Sequence, residues 1–231
     1  MTRRWQIGFG VVLTALAGFV DALGFIRLGG LYTSLMSGNT TQLAVSLGHG
    51  EPWGAVLPAL LILAFLVGAV SGGALAALTP PRWVTPAVLA FETAAVTAAF
   101  AAAVEGTRVG IAALFLALAM GGQNAVLAHV QGFRAGTTFI TGALFSFGQK
   151  LALALAGRGP RFGWVGDGAV WIALLTGAVA GTYAHGHLGV AALAIPACVA
   201  GVLCLGACLV ILSGRPVAGS LRSLDSGRPF G

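Results

Sequence analysis

The stretch from Gly18 to Gln42, GFVDALGFIRLGGLYTSLMSGNTTQ, returns in altered form from Gly121 to Leu144 as GGQNAVLAHVQGFRAGTTFITGAL. Gly18 aligns with Gly121 and Asp21 with Asn124 at an offset of 103 (124 − 21), while Ser37-Gly38 aligns with Thr141-Gly142 at 104 (142 − 38). Two further matches keep the same order. GAVSG at Gly68–Gly72 returns as GAVAG at Gly177–Gly181, offset by 109 (177 − 68). AVLAFETA at Ala87–Ala94 returns as AALAIPAC at Ala191–Cys198, offset by 104 (191 − 87), which sets Pro196 opposite Glu92. The sequence therefore reads as two tandem repeats of about 104 residues, repeat 1 over about 6–104 and repeat 2 over about 109–212.

The solvent around these repeats is lipid. Of 231 residues, 58% are hydrophobic and 8% charged, and the mean hydropathy is +0.95, far from the balance of a soluble domain. About 20 apolar residues suffice for a helix to cross a hydrocarbon core of about 30 Å, and such windows recur along the chain. The predicted fold class is an all-α polytopic membrane protein with four membrane segments per repeat. A single transmembrane domain spans 1–212, and 213–231 reads as a polar cytoplasmic tail. Glycine is abundant, with 36 copies, because small residues let helix backbones approach closely in lipid. Gly68 with Gly72, and Gly177 with Gly181, are assigned to that packing.

Six segments read as continuous helices: 6–28, 55–78, 84–104, 109–130, 169–184 and 188–212. The other two, 31–48 and 136–156, are polar and read as broken, with breaks at Gly38 and Gly142. Asn39 followed by Gln42 fits an N-cap and its capping-box partner, which would start a helix inside the membrane. If the polar segments cross fully, there are eight crossings and parallel repeats, and loop Lys and Arg favour one side by 8 to 3. If they only re-enter, there are six crossings and inverted repeats, with 10 to 2. Both satisfy the positive-inside rule with cytoplasmic termini, so charge counting does not choose between them.

Other classes are disfavoured. The net charge of +6 is spread over short loops without interleaved aromatics, which argues against nucleic acid as a partner. Arg3-Arg4 before an apolar run imitates a signal peptide, but no small-x-small site closes the run and Asp21 lies within it, so it reads as the first membrane helix. Cys198, Cys204 and Cys208 share one apolar segment and read as packing residues, not a disulfide framework. His185 and His187 form HGH in a predicted tight loop without a third metal ligand. No metal or cofactor is expected.

The motifs GFVDALGF, GGLYTSLMSGNT, GGQNAVLAHV and TTFITGALFSFGQ together resemble the YoaK family of uncharacterised bacterial inner-membrane proteins. The resemblance covers nearly the whole chain. It rests on Asp21, on Met36-Ser37-Gly38-Asn39, on Gln123-Asn124, and on Thr137-Thr138 with Thr141-Gly142; His129 departs from the arginine common there. It implies a multi-pass protein of the bacterial inner membrane and supplies no activity.

Function is argued from polar residues inside apolar helices, where an ionisable group costs roughly 2.5–3.5 kcal/mol and needs a partner or water. Asp21, Glu92 and Lys150 are the coupling or ion-pair candidates. Asp21 reads either as a cap on loop amides or as a proton-responsive member of a site. Lys150 reads either as snorkelling to the interface or as paired with Asp21 or Glu92. Ser37, Asn39, Thr40, Gln42, Gln123, Asn124, Thr138 and Thr141, with Asp21, are the candidate solute-binding residues. The expected function is a transporter or channel for a small polar solute or ion, with a midplane site at the repeat interface and proton coupling as one energy source. Two alternatives stand beside it: an accessory membrane protein that binds a partner through its glycine-rich faces, and an intramembrane enzyme. The enzyme is disfavoured because there is no HExxH, GxSxG or Asp-Asp pair. A homodimer is a base-rate expectation for so small a bundle.

Overall fold

The computed structural model describes residues 3–105, 109–129 and 140–213, and all regular structure among them is helical. The described residues form eight α-helices: α1 (Arg3–Arg27), α2 (Met36–Gly48), α3 (Pro52–Leu78), α4 (Val84–Val104), α5 (Val109–His129), α6 (Ile140–Leu155), α7 (Val165–Leu188) and α8 (Ala194–Leu212). Short 3-10 turns, Pro81–Trp83 and Gly189–Leu193, lead into α4 and α8. Five apolar runs have the length and hydropathy to cross a membrane, and the last, Val165–Leu212, is divided between α7 and α8. The chain is a polytopic membrane protein. At 13 residues α2 is about 20 Å long, short of a hydrocarbon core of about 30 Å, and the described part of α6, 16 residues, is about 24 Å long.

The polarity is the reverse of a water-soluble bundle. Leu63, Leu66 and Val70 on α3, and Val202, Leu205 and Leu209 on α8, face outward, whereas Asp21, Asn39, Glu92 and Gln123 are buried. Lipid accepts the apolar side chains at no cost, and polar groups must find partners inside the protein.

Helices α7, α1, α5 and α3 form a row in that order, each packed on the next; α4 covers α5 and α8 covers α4. Close packing along the row rests on glycines. A methyl group on Gly177 would overlap the carbonyl oxygen of Ala15, and one on Gly181 would stand 2.5 Å from that of Phe19. On the other side of the row, Gly68 meets the Leu118 carbonyl in the same way, and Gly72 that of Gly122. Gly18 against Leu174 and Gly121 against Phe65 complete the set. These contacts make α1 run parallel to α7, and α3 parallel to α5. By contrast α1 and α5 are antiparallel: Leu13 lies by Gln123, and Leu23 and Arg27 lie by Ala112 and Val109. Helices α4 and α8 are antiparallel too, with Pro86 beside Cys204 and Thr93 beside Gly201.

Several boundaries differ from those expected. α7 begins at Val165 and runs through the HGH sequence, so His185 and His187 lie in its last turn and not in a loop. His187 stacks on Tyr183 four residues earlier, and His185 Nδ1 lies 3.2 Å from the Gly189 carbonyl. Gly38 does not break its helix, since it is the third residue of α2 and the irregular backbone ends at Leu35; the chain entering α6 ahead of Gly142 lies outside the described residues. Helix α2 starts at Met36 with Leu35 at the cap position, so Asn39 is no N-cap and has no capping-box role.

An added methyl group cannot push a carbonyl out of a helix ladder, so Gly68→Ala and Gly177→Ala should each destabilise by at least the roughly 1–3 kcal/mol of an overpacked core. Gly73→Ala, whose surroundings are open, should be neutral or stabilise by about 0.5–1 kcal/mol. Thermal unfolding of the purified variants in detergent reads both.

Candidate functional site

After α1 ends at Arg27 the chain turns through Gly29 (φ 65°) and Gly30 (φ 107°), where the left-handed backbone suits glycine. It then runs back along α1 without regular structure from Leu31 to Leu35. Leu31 packs on Leu61 of α3 and on Ala113 and Ala117 of α5. The inward run stops at Thr33 and Ser34, beside Asp21, and α2 then leads outward again. Ser46 near the end of α2 lies against Gly54 at the start of α3. Residues 28–50 therefore form a hairpin that enters and leaves on the side where α1 ends.

Asp21 holds the tip of this hairpin. Its Oδ1 accepts from the Thr33 backbone N–H (2.8 Å), the Thr33 hydroxyl (2.9 Å) and the Ser34 backbone N–H (2.7 Å). Its Oδ2 accepts from the Ser34 hydroxyl. All three residues are buried. Four donors on one carboxylate are what a charge in a dry interior requires. Asn39 makes a second clamp. Its Oδ1 accepts from the Tyr32 N–H (2.9 Å) and its Nδ2 donates to the Tyr32 carbonyl (2.7 Å), which satisfies extended backbone that has no other ladder. Gly38 leaves room for the Tyr32 ring, which a methyl group there would meet at 2.8 Å.

The remaining predicted residues fall into three groups. Ser37, Thr40, Thr41 and Gln42 are exposed on α2, where the Thr40 hydroxyl donates to the Met36 carbonyl (2.8 Å) and the Thr41 hydroxyl to that of Ser37 (3.1 Å). Beside Gln42 a shallow recess of about 370 Å³ opens between the Leu28–Leu31 turn and Trp53, Gly54, Leu57 and Pro58 of α3. Deep in the bundle, Gln123 on α5 donates to Glu92 Oε1 on α4 at 2.8 Å, with a weaker contact to the Leu13 carbonyl at 3.5 Å. Asn124 is half-buried and donates to the Met120 carbonyl, its Oδ1 unpartnered among the described residues.

At the other end of the row, against α7, α6 carries Thr141 and Gly142, both exposed; Thr137 and Thr138 lie outside the described residues. Lys150 pairs with Asp167 on α7 at 2.6 Å, and not with Asp21 or Glu92. Both groups are part-exposed, so a short bridge between neighbouring helices was available without taking the ammonium into the core. Sequence reasoning overlooked Asp167, Tyr32, Thr33 and the turn at Gly29-Gly30. The doubled glycine with φ above zero was the readable signal for the turn.

The family described as "Protein of unknown function (DUF1275)" matches residues 9–206. The UPF0700 transmembrane protein RA0705 of Rhizobium meliloti (strain 1021) is 33% identical over 197 residues, which cover 84% of this chain and 83% of that protein. No solved structure matches. These relatives agree with the resemblance to an uncharacterised membrane family, although neither carries the YoaK name.

Asp21→Ala strands the Thr33 and Ser34 donors in a dry interior and should cost about 3 kcal/mol. The backbone amides of Thr33 and Ser34 should then lose hydrogen-exchange protection by on the order of a hundredfold. Ser37→Ala, on the exposed face of α2, should leave both amides protected.

Proposed function

The chain belongs to the DUF1275 family of proteins of unknown function, and we propose that it is a transporter or channel for a small polar solute or ion, built from two inverted repeats. The observation that carries this reading is the paired packing of the glycine motifs across antiparallel repeat mates. Gly68 on Leu118 corresponds to Gly177 on Ala15 at offsets of 109 (177 − 68) and 103 (118 − 15). Gly72 on Gly122 corresponds to Gly181 on Phe19 at the same two offsets, and so does Gly121 on Phe65 to Gly18 on Leu174. Helix α1 is antiparallel to its mate α5, and α4 to its mate α8. Mates that oppose each other need an odd number of crossings per repeat, so α2 and α6 re-enter and six helices cross.

Inverted repeats with half-length polar helices are a recurring transporter architecture, in which unwound backbone beside such helices meets the solute near the repeat interface. In this chain Asp21 and Asn39 set the shape of the first hairpin from inside. Ser37, Thr40 and Gln42 on its exposed face, with Thr141 on α6, are the groups free to meet a solute. The recess beside Gln42 is the mouth on one side. Charge supports an orientation: with six crossings only Arg27 and Arg108 of the twelve Lys and Arg fall in outer loops, which places both termini in the cytoplasm under the positive-inside rule, and the family resemblance supports the bacterial inner membrane. The glycine faces that an accessory protein would offer to a partner are already filled by neighbouring helices of the same chain. We assign no enzymatic activity.

Topology and transport are tested separately. With six crossings, Glu51→Cys should react with an impermeant thiol reagent added outside cells and Arg82→Cys should not; the reverse pattern would establish eight crossings. Uptake into proteoliposomes is measured against amino acids, nucleobases, sugars, organic acids, amines and ions. The combined Ser37→Ala and Thr40→Val variant should lose about tenfold or more of the flux at an unchanged thermal midpoint, because both hydroxyls lie on the exposed face of α2. Absence of flux across all six classes would overturn the transport assignment.

A further inference from the structure

Glu92 and Gln123 form a pair that the hairpin does not use. Both side chains are fully buried between α4 and α5, and their contact is single: Gln123 Nε2 donates to Glu92 Oε1 at 2.8 Å. The other arms of the two groups, Glu92 Oε2 and Gln123 Oε1, are buried and have no hydrogen-bond partner among the described residues. Two acceptor oxygens, held beside one bonded arm and both without a donor, are one hydrogen short. An ionised Glu92 would supply none, and it would stand in a dry interior on a single amide donor, whereas Asp21 at its own site is given four.

Among the described residues no neighbouring group offers the missing charge. The charged and titratable side chains described on the surrounding helices are Asp21 on α1, which Thr33 and Ser34 occupy, Arg27 at the far end of α1 beside Val109, and the cysteines of α8, of which Cys204 contacts the Pro86 carbonyl. The described side chains of α3 and α5 include no ionisable group near the pair. Val88, Leu89 and Val96 lie one helical turn from Glu92 and Val126 one turn from Gln123, all of them buried, and the Leu13 backbone lies by Gln123.

We propose that Glu92 is a proton-binding site. It is held as the neutral acid, and its Oε2–H donates to Gln123 Oε1, so that acid and amide close a ring of two opposed hydrogen bonds. The bound species is H⁺, and the ring accounts for both orphaned oxygens with one atom. The second repeat has Pro196 at the equivalent position and no such group. One proton per chain is therefore bound at a place where the repeats differ. This holds whether or not the chain moves a solute.

Infrared spectroscopy of the purified wild type at pH 7 tests it directly. The chain has three glutamates, and Glu51 and Glu105 are exposed. The expected result is a protonated-carboxyl C=O band that shifts down on ¹³C-glutamate labelling, persists in Asp21→Asn, and is lost in Glu92→Gln. Should Glu92→Gln fail to fold, Gln123→Ala is read instead, since removal of the amide acceptor should move the band to higher frequency. No labelled acid band in wild type, a band that survives Glu92→Gln, or one that Gln123→Ala leaves unmoved overturns the assignment. So does a band absent in wild type but accompanied by stabilisation with sodium, which would make the ligand a metal cation.

Discussion

A carboxylate buried beside lipid has to be answered by donors, and in this protein the answer shapes the chain from α1 to α2. Asp21 gathers the backbone N–H groups and the hydroxyls of Thr33 and Ser34, and those four bonds fold the chain after α1 back into the bundle. The bonds are local in sequence, 12 and 13 residues apart, so the loop that closes them is short and its entropic cost small. Asn39 then satisfies the backbone of Tyr32, which the carboxylate does not reach. Hydrophobicity cannot organise such a hairpin in a solvent as apolar as the side chains themselves, and the polar groups take over that work.

The rest of the bundle is organised by the absence of side chains. Along the row α7–α1–α5–α3, the helix backbones touch where glycine faces a carbonyl, so van der Waals contact and proximity replace the hydrophobic effect as the source of association. Glycines are costly inside helices in water, by about 1 kcal/mol each relative to alanine. In lipid the same residues are retained because nothing larger fits the approach. These contacts also fix helix direction: parallel between α1 and α7 and between α3 and α5, antiparallel between α1 and α5.

Polar residues in this membrane protein thus divide by how completely they are satisfied. Asp21 and Asn39 have every oxygen engaged and serve the fold. The hydroxyls of α2 bond only to their own helix and retain acceptor capacity on an exposed face. Glu92 and Gln123 are buried with one arm each unmatched, and there the composition of the site asks for a proton. The division separates structural polarity from functional polarity more sharply than residue type does.

The sequence alone determined the solvent, the helical class and the approximate span of all eight segments, because those follow from apolar run length and from prolines and glycines between runs. The close-packing role of Gly68, Gly72, Gly177 and Gly181 was legible too. Polarity within apolar runs marked Asp21, Asn39, Glu92 and Gln123 as unusual but not what each would touch. Only the tertiary structure decided that Asp21 meets Thr33 and Ser34, that Lys150 meets Asp167, and that α1 opposes α5. The physical reason is that composition and period are properties of single segments, whereas direction and hydrogen-bond partnership belong to pairs of segments. In a lipid solvent those pairs are chosen by contact geometry, which no one-dimensional pattern contains.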